Sequence, residues 1–359
     1  MNNKQVHVKN HYVPKEYLRL WTSPDGHLQV YRILVSNAKV RPWKKCSPAG
    51  VAFTEHLYTK TIAGKETDEF ERWLDREYEA PVHDILNKIA SEDRLLSDDW
   101  EKLVRFVAAQ DVRTPAHFIE DMKRWNNTVP NSVQQALSRV ASKLEKGNYS
   151  VNKPASSTVN TEELPLNVTI KHEPGEETGT IEASMLTGRR LWLWEIKRVL
   201  EHTSKILHQH KWTILKPPQG MIWFTSDNPV IRLNFHGDDK YDFGGGWGSP
   251  GSDIILPLSP QYLLYTQIGK RPTFNRYERI PVNLAERIRR MIAEHAHRMI
   301  ISQECDPVIP LLRPRVVDAD LYHWEHNQWE LWHKTQTEAE QEFDIKKEIL
   351  TAHKETDIT

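Results

Sequence analysis

The chain has 359 residues, room for one large domain or two closely packed ones, and its formal net charge of −1 excludes the all-over basic field of a general nucleic-acid coat protein. Apolar residues make up 38% and charged residues 27%, lean but far from a disordered composition, and 13 tryptophans add bulk that the aliphatic content lacks. Only Cys46 and Cys305 occur, too few for a disulfide framework or structural zinc site; with no run of ~18 apolar residues and no apolar signal core in residues 1–10, a soluble cytoplasmic protein without a membrane span is expected.

Along the chain, Pro14 ends a short extended entry, and Glu16, Tyr17, Leu18 and Trp21 then have helical spacing. Proline costs little in a first helical turn, where its missing N–H would have no partner. Pro24-Asp25-Gly26 predicts a turn, residues 28–33 alternate as a strand, and residues 51–53 and 56–58 read as short strand pieces. From Glu66 the period becomes helical, through Phe70, Trp73, Leu74 and Tyr78 and, across Pro81, through Val82, Ile85, Leu86 and Ile89. Ser97 is placed to cap a helix with Asp98 and Asp99 in its first turn, and Thr114-Pro115 reads as the cap and first residue of the next. Ser132 and Gln135 have capping-box spacing and predict another helix start.

Residues 153–177, rich in Ser, Thr, Asn, Glu and Pro, read as a solvated connector. Beyond them Trp192, Ile196, Val199, Leu200, Ile206 and Leu207 predict one long helix. Strands are expected at residues 212–215, 221–225, 230–233, 254–258 and 262–267, then a helix through Leu284, Ile288, Met291, Ile292 and His295. The charged end from Thr335 onward reads as a surface helix or loose tail. The expected class is α+β: a helical block plus a mixed or antiparallel sheet with packed helices, in two lobes around a shared core. Residues 1–150 form the first lobe, 151–180 a connector, 181–305 the second lobe and 306–359 a C-terminal extension.

Two cassettes carry the chemistry, His11-Tyr12-Val13-Pro14 and Thr225-Ser226-Asp227-Asn228-Pro229. His11 at a strand-to-helix turn suits a general base, an anion contact or a metal ligand, or simply ties the amino-terminal arm to main-chain carbonyls. Asp227 follows an apolar run, where it could hold a metal or accept a proton, although Ser, Asp and Asn before proline also build a turn that needs no ligand. Arg113 lies at a helix junction, in a block that also holds Glu69 and Glu79, and could stabilise developing negative charge, although a buried Arg–Glu tie between helices accounts for it better. The pairs His208/His210 and His295/His297 are two apart, which on a helix aims them to different sides, so neither is expected to chelate. Lys39, Arg41, Lys44 and Lys45 around Trp43 form a local basic patch that could contact phosphates while the indole stacks on a base.

The pattern His-Tyr-Val-Pro-x-x-Tyr-Leu at residues 11–18, with Thr-Ser-Asp-Asn-Pro-Val at residues 225–230, resembles the uncharacterised family called domain of unknown function 4238. Glu79, Arg113-Thr114-Pro115, Pro257-Leu258-Ser259-Pro260 and Asn283 extend the resemblance, which covers residues 11–302 and leaves the tail after Asp306 outside it. It implies that His11 and Asp227 belong to one site, and it carries no activity to transfer. Two functions follow as expectations. One is a hydrolase-type effector on nucleic-acid or nucleotide phosphodiesters, such as a nuclease of bacterial defence against phage, with catalytic His11, Asp227 and Arg113 and a divalent metal such as Mg on Asp227 and His11. The other is a non-enzymatic binding or sensing protein in which both cassettes are structural and the partner is read by the Trp43 region or the Trp-rich end. Oligomeric state is not written in the sequence.

Overall fold

A four-stranded antiparallel sheet joins the early and late parts of the chain, in the order Thr225–Ser226, Met299–Ser302, Leu28–Arg32 and Trp43–Cys46. Its registers set Val30 beside Ile301 and Tyr31 beside Ile300, and both faces of this strand, at Val30 and at Tyr31, are buried. The computed structural model describes residues 7–62, 65–145, 164–172, 179–237 and 240–356.

A second sheet of six strands runs Tyr241–Asp242, Ile231–Phe235, Asp253–Ser259, Tyr262–Gln267, Thr213–Lys216, Glu278–Arg279, antiparallel except for the last pair. Helices pack on both sheets, and the class is α+β. One apolar core runs from Tyr12 to Trp332, with Trp21, Trp125, Trp192 and Trp223 among its fully buried side chains. Residues from both expected lobes therefore enclose one interior. Part of the expected connector lies outside the described residues, and the rest forms a hairpin, Leu166–His172 with Gly179–Met185. The reading of residues 1–10 as lacking a signal also falls partly outside them.

Several local expectations need correction. Leu96, not Ser97, caps helix Ser97–Val112, because the Asp99 carboxylate reaches back to the Leu96 N–H at 2.8 Å. No break occurs at Ser132: helix Pro115–Glu145 continues through Pro130, whose missing N–H frees the carbonyl of exposed Asn126 to water. The long helix expected after residue 189 changes pitch, α over Arg189–Arg198, π over Val199–Thr203 and 3-10 over Ser204–Gln209. There the Ser204 hydroxyl donates to the Leu200 carbonyl at 2.6 Å. The end of the chain is a helix, Trp332–Thr356, anchored by buried Trp332, Glu340 and Phe343. Glu340 takes a bidentate pair from Arg189, at 2.9 and 2.8 Å, with Arg189 fully buried. Among the described residues no helix is long and apolar enough to cross a membrane.

Candidate functional site

The two cassettes meet. Tyr17, on the short helix Lys15–Arg19 that Pro14 opens, places its hydroxyl 2.7 Å from Thr225 Oγ1 and donates to the Pro257 carbonyl at 2.5 Å. Arg113, fully buried, donates from Nε to the Tyr12 carbonyl (3.0 Å) and from a terminal nitrogen to Glu79 (2.5 Å). Its neighbour Thr114 caps helix Pro115–Glu145 by accepting the His117 N–H at 3.2 Å and donates to the Asn228 side-chain oxygen at 3.1 Å.

Asp227 and Asn228 then pin the segment His295-Ala296-His297-Arg298. The Asp227 carboxylate accepts the main-chain N–H of His297 (3.0 Å) and of Arg298 (2.8 Å), fixing the bend between helix Val282–His295 and strand Met299–Ser302. Burial holds this carboxyl above the ordinary aspartate range, offset in part by His297 and those amides. Asn228 grips the His295 ring from both sides: Nδ1 donates to its carbonyl at 3.0 Å, and Nε2 accepts from its side-chain amide at 3.3 Å. That network assigns the Nδ1–H tautomer, and burial lowers His295 to about 4. Ser226 Oγ accepts the Asn228 N–H at 3.1 Å, closing the turn that the residue types suggested.

This framework forms one side of a cavity of about 840 Å3. Asn228, Glu294, His295, His297 and Arg298 line it from the pinned segment, Ala116, Glu120 and Lys123 from the start of the long helix, and Trp324, Glu325, Trp329 and Trp332 from the C-terminal helices. Arg298 holds Glu325 through a bidentate pair, Nε to Oε2 at 2.6 Å plus a terminal nitrogen to Oε1, joining the two sides. His297 makes no side-chain hydrogen bond among the described residues, and burial holds its imidazole below the ordinary histidine range, with Arg298 and Arg313 adding to the effect and Asp227 and Glu325 opposing it. Arg313, also in the wall, has no ion-pair partner among the described residues, and its buried Nε has no acceptor. A second cavity of about 720 Å3 has its main charges already paired, Asp111 with Arg232 at 3.3 Å and Arg124 with Asp121 and Glu195 at 2.8 and 2.5 Å.

Residues 9–306 match the family described as Protein of unknown function (DUF4238). The chain belongs to this family. No curated protein and no solved structure matches it. Relative to the DUF4238 span, the cavity is composite: the pinned segment lies inside it, whereas Arg313, Trp324, Glu325 and Trp329 lie in the extension beyond.

The sequence-derived site residues are brought close but sit behind this cavity. His11 pairs through its main chain with Phe53 in strand Phe53–Glu55 and packs its ring on the Phe53 ring at 5.6 Å. Both ring nitrogens are buried without a hydrogen-bond partner; burial first, then the Lys15 charge, lowers His11 to about 4, and the nearby Ala49 main chain offsets this without reaching bonding geometry. Neither His11, Arg113 nor Asp227 lines either of these cavities, and the Asp227 oxygens already hold two amides. The trio of His, Cys, Asp or Glu whose donor atoms converge, within 4.8 Å among the described residues, is His56, Glu66 and His333, which includes no residue of either cassette. There His333 Nε2 faces Glu66 at 2.7 Å while Nδ1 accepts from Arg189 at 3.1 Å, so both ring nitrogens are in use. In the basic patch, Lys45 is paired with Asp25, and the half-buried Trp43 ring packs on Tyr31 at 5.4 Å, which takes the indole away from base stacking. Lys39, Arg41 and Lys44 are exposed. Sequence reasoning set His297 aside because it lies two residues from His295; the helix ends at His295, so helical geometry does not govern the pair.

Proposed function

We propose that the 840 Å3 cavity binds an anionic ligand carrying a flat ring, a nucleotide or nucleic-acid end, and that the protein is a hydrolase-type effector on its phosphodiester. A nuclease of bacterial defence against phage falls in this class, and a cytoplasmic setting suits its substrates and the two free thiols, Cys46 and Cys305. The observation that carries the reading is that Arg313 and His297, a cation with no ion pair and an imidazole with no side-chain hydrogen bond among the described residues, share a cavity with Trp324 and Trp329. Guanidinium matches phosphate oxygens, and indole rings stack on bases. Unprotonated near neutral pH, His297 would take a proton from the attacking water as its oxygen bonds to phosphorus. The imidazolium returns that proton to the ester oxygen as the old P–O bond breaks. Asp227 acts as a positioning residue, through the two amides it holds.

A binding protein without chemistry is the second reading, favoured by how fully His11, Arg113 and Asp227 are built into the packing. Titration with a nucleoside monophosphate and its nucleoside, followed by tryptophan fluorescence, tests the common part. The phosphate form should bind at least tenfold more tightly, and Arg313→Gln should abolish that preference; equal affinities would remove the cavity assignment. His297→Gln separates the readings, because it leaves affinity in place and ends turnover only if the protein is an enzyme.

A further inference from the structure

We infer that the edge of the four-stranded sheet, with the loop before it, carries a single strand of nucleic acid whose end enters the cavity. This rests on the nucleotide reading of that cavity. Arg32, Lys39, Arg41, Lys44 and Arg315 cluster without neutralisation: none has an ion-pair partner among the described residues, and the Nε of Arg32 is buried without an acceptor.

Hydrogen bonds and strand register gather the five around the Lys39–Arg41 loop and the adjoining sheet edge. Arg32 donates from its guanidinium to the Arg41 carbonyl at 2.7 Å, and Arg315 donates to the Val40 carbonyl at 2.6 Å. Lys44 lies in strand Trp43–Cys46, opposite Val30 of the strand that also holds Arg32. The strip reaches the cavity along the chain itself: Arg315 lies two residues from Arg313 of the cavity wall, whose carbonyl accepts the Tyr31 hydroxyl at 2.8 Å. Acidic groups mark its limits: Asp25 is paired with Lys45 on one side, and Asp318 donates its N–H to the Val35 carbonyl on the other. Near-neutral total charge with a local cationic track fits backbone-following contact, in which sequence is not read. A single strand is the form whose terminal base is free to reach Trp324, 60% exposed in the cavity wall.

The test uses the full chain and a triple variant, Lys39→Gln, Arg41→Gln and Lys44→Gln, whose exposed side chains make no hydrogen bond that could destabilise the fold on removal. Binding of a labelled 12-nucleotide single strand, followed by fluorescence anisotropy, should weaken at least tenfold at low salt. The slope of log affinity against log salt should fall by about 2, near 0.7 for each phosphate that is no longer neutralised. Mononucleotide affinity, read separately by tryptophan fluorescence, should stay within twofold. Equal strand affinity and salt slope in the two proteins would overturn the strip and leave the cavity reading standing. Failure of the wild-type chain to bind mononucleotide would overturn the cavity reading and, with it, entry of the strand end. A polyglutamate peptide bound as tightly as the strand would overturn the nucleic-acid assignment.

Discussion

The Tyr17 hydroxyl lies 2.7 Å from Thr225 Oγ1, a direct tie between the residue six positions after His11 and the first residue of the Thr-Ser-Asp-Asn-Pro cassette. Tyr17 is 1% exposed and Thr225 fully buried, so neither can turn to water if the other is removed. Tyr17→Phe should therefore lower stability by about 1–3 kcal/mol, measured from urea midpoints, because the Pro257 carbonyl and Thr225 hydroxyl both lose a partner. Mononucleotide affinity should hold, since the tie sits behind the cavity wall.

Asp227→Asn tests the positioning role. The amide keeps one oxygen but turns an NH2 toward a main-chain N–H, so one of the two bonds to His297 and Arg298 is lost. A stability loss of about 1–3 kcal/mol is expected, with slower turnover as the His297 ring moves. Unchanged stability together with lost turnover would instead make Asp227 a direct participant in chemistry.

Acid should destabilise the fold through two histidines. His11 and His295 are each lowered from 6.5 to about 4 in the folded chain, so between those values the unfolded chain binds more protons. Their contribution is complete above pH 6.5 and drains away as pH falls toward 4, each by up to about 3 kcal/mol. Urea midpoints at pH 7, 5.5 and 4.5 should show this decline. His11→Phe should flatten the slope without lowering stability at pH 7, because the imidazole has no hydrogen bond to lose; an unaltered slope would mean the ring is not held neutral by burial.

The buried Arg189–Glu340 pair anchors the final helix to helix Arg189–Arg198. Arg189→Met alone should cost about 3–5 kcal/mol, since Glu340 is left charged and unpaired in the interior. Adding Glu340→Met should recover most of that loss in the same thermal or urea measurement.

Class and many local elements were legible because they depend on neighbours in sequence: the Thr114-Pro115 cap, the Pro24-Asp25-Gly26 turn, and the strand Leu28–Arg32. The Ser226-Asp227-Asn228 turn was legible for the same reason, but what its carboxylate holds was not, because His297 and Arg298 lie seventy positions on. The cavity escaped for a related reason. Its wall combines a helix end whose position is set by Asn228 with tryptophans that read only as a local run. Ser132 and Gln135 misled in the opposite direction: their capping-box spacing suggested a helix start, but the helix runs on through Pro130, where the freed Asn126 carbonyl faces solvent.

Because the strand Leu28–Arg32 is flanked by Met299–Ser302, the first sheet cannot be completed until residues as far as Ser302 have left the ribosome. At synthesis rates of roughly 5–20 residues per second, that apolar edge waits on the order of ten seconds or more for its neighbour. A nascent chain of this kind is exposed to self-association throughout that interval, and fragments that stop short of the late strand inherit the unsheltered edge permanently.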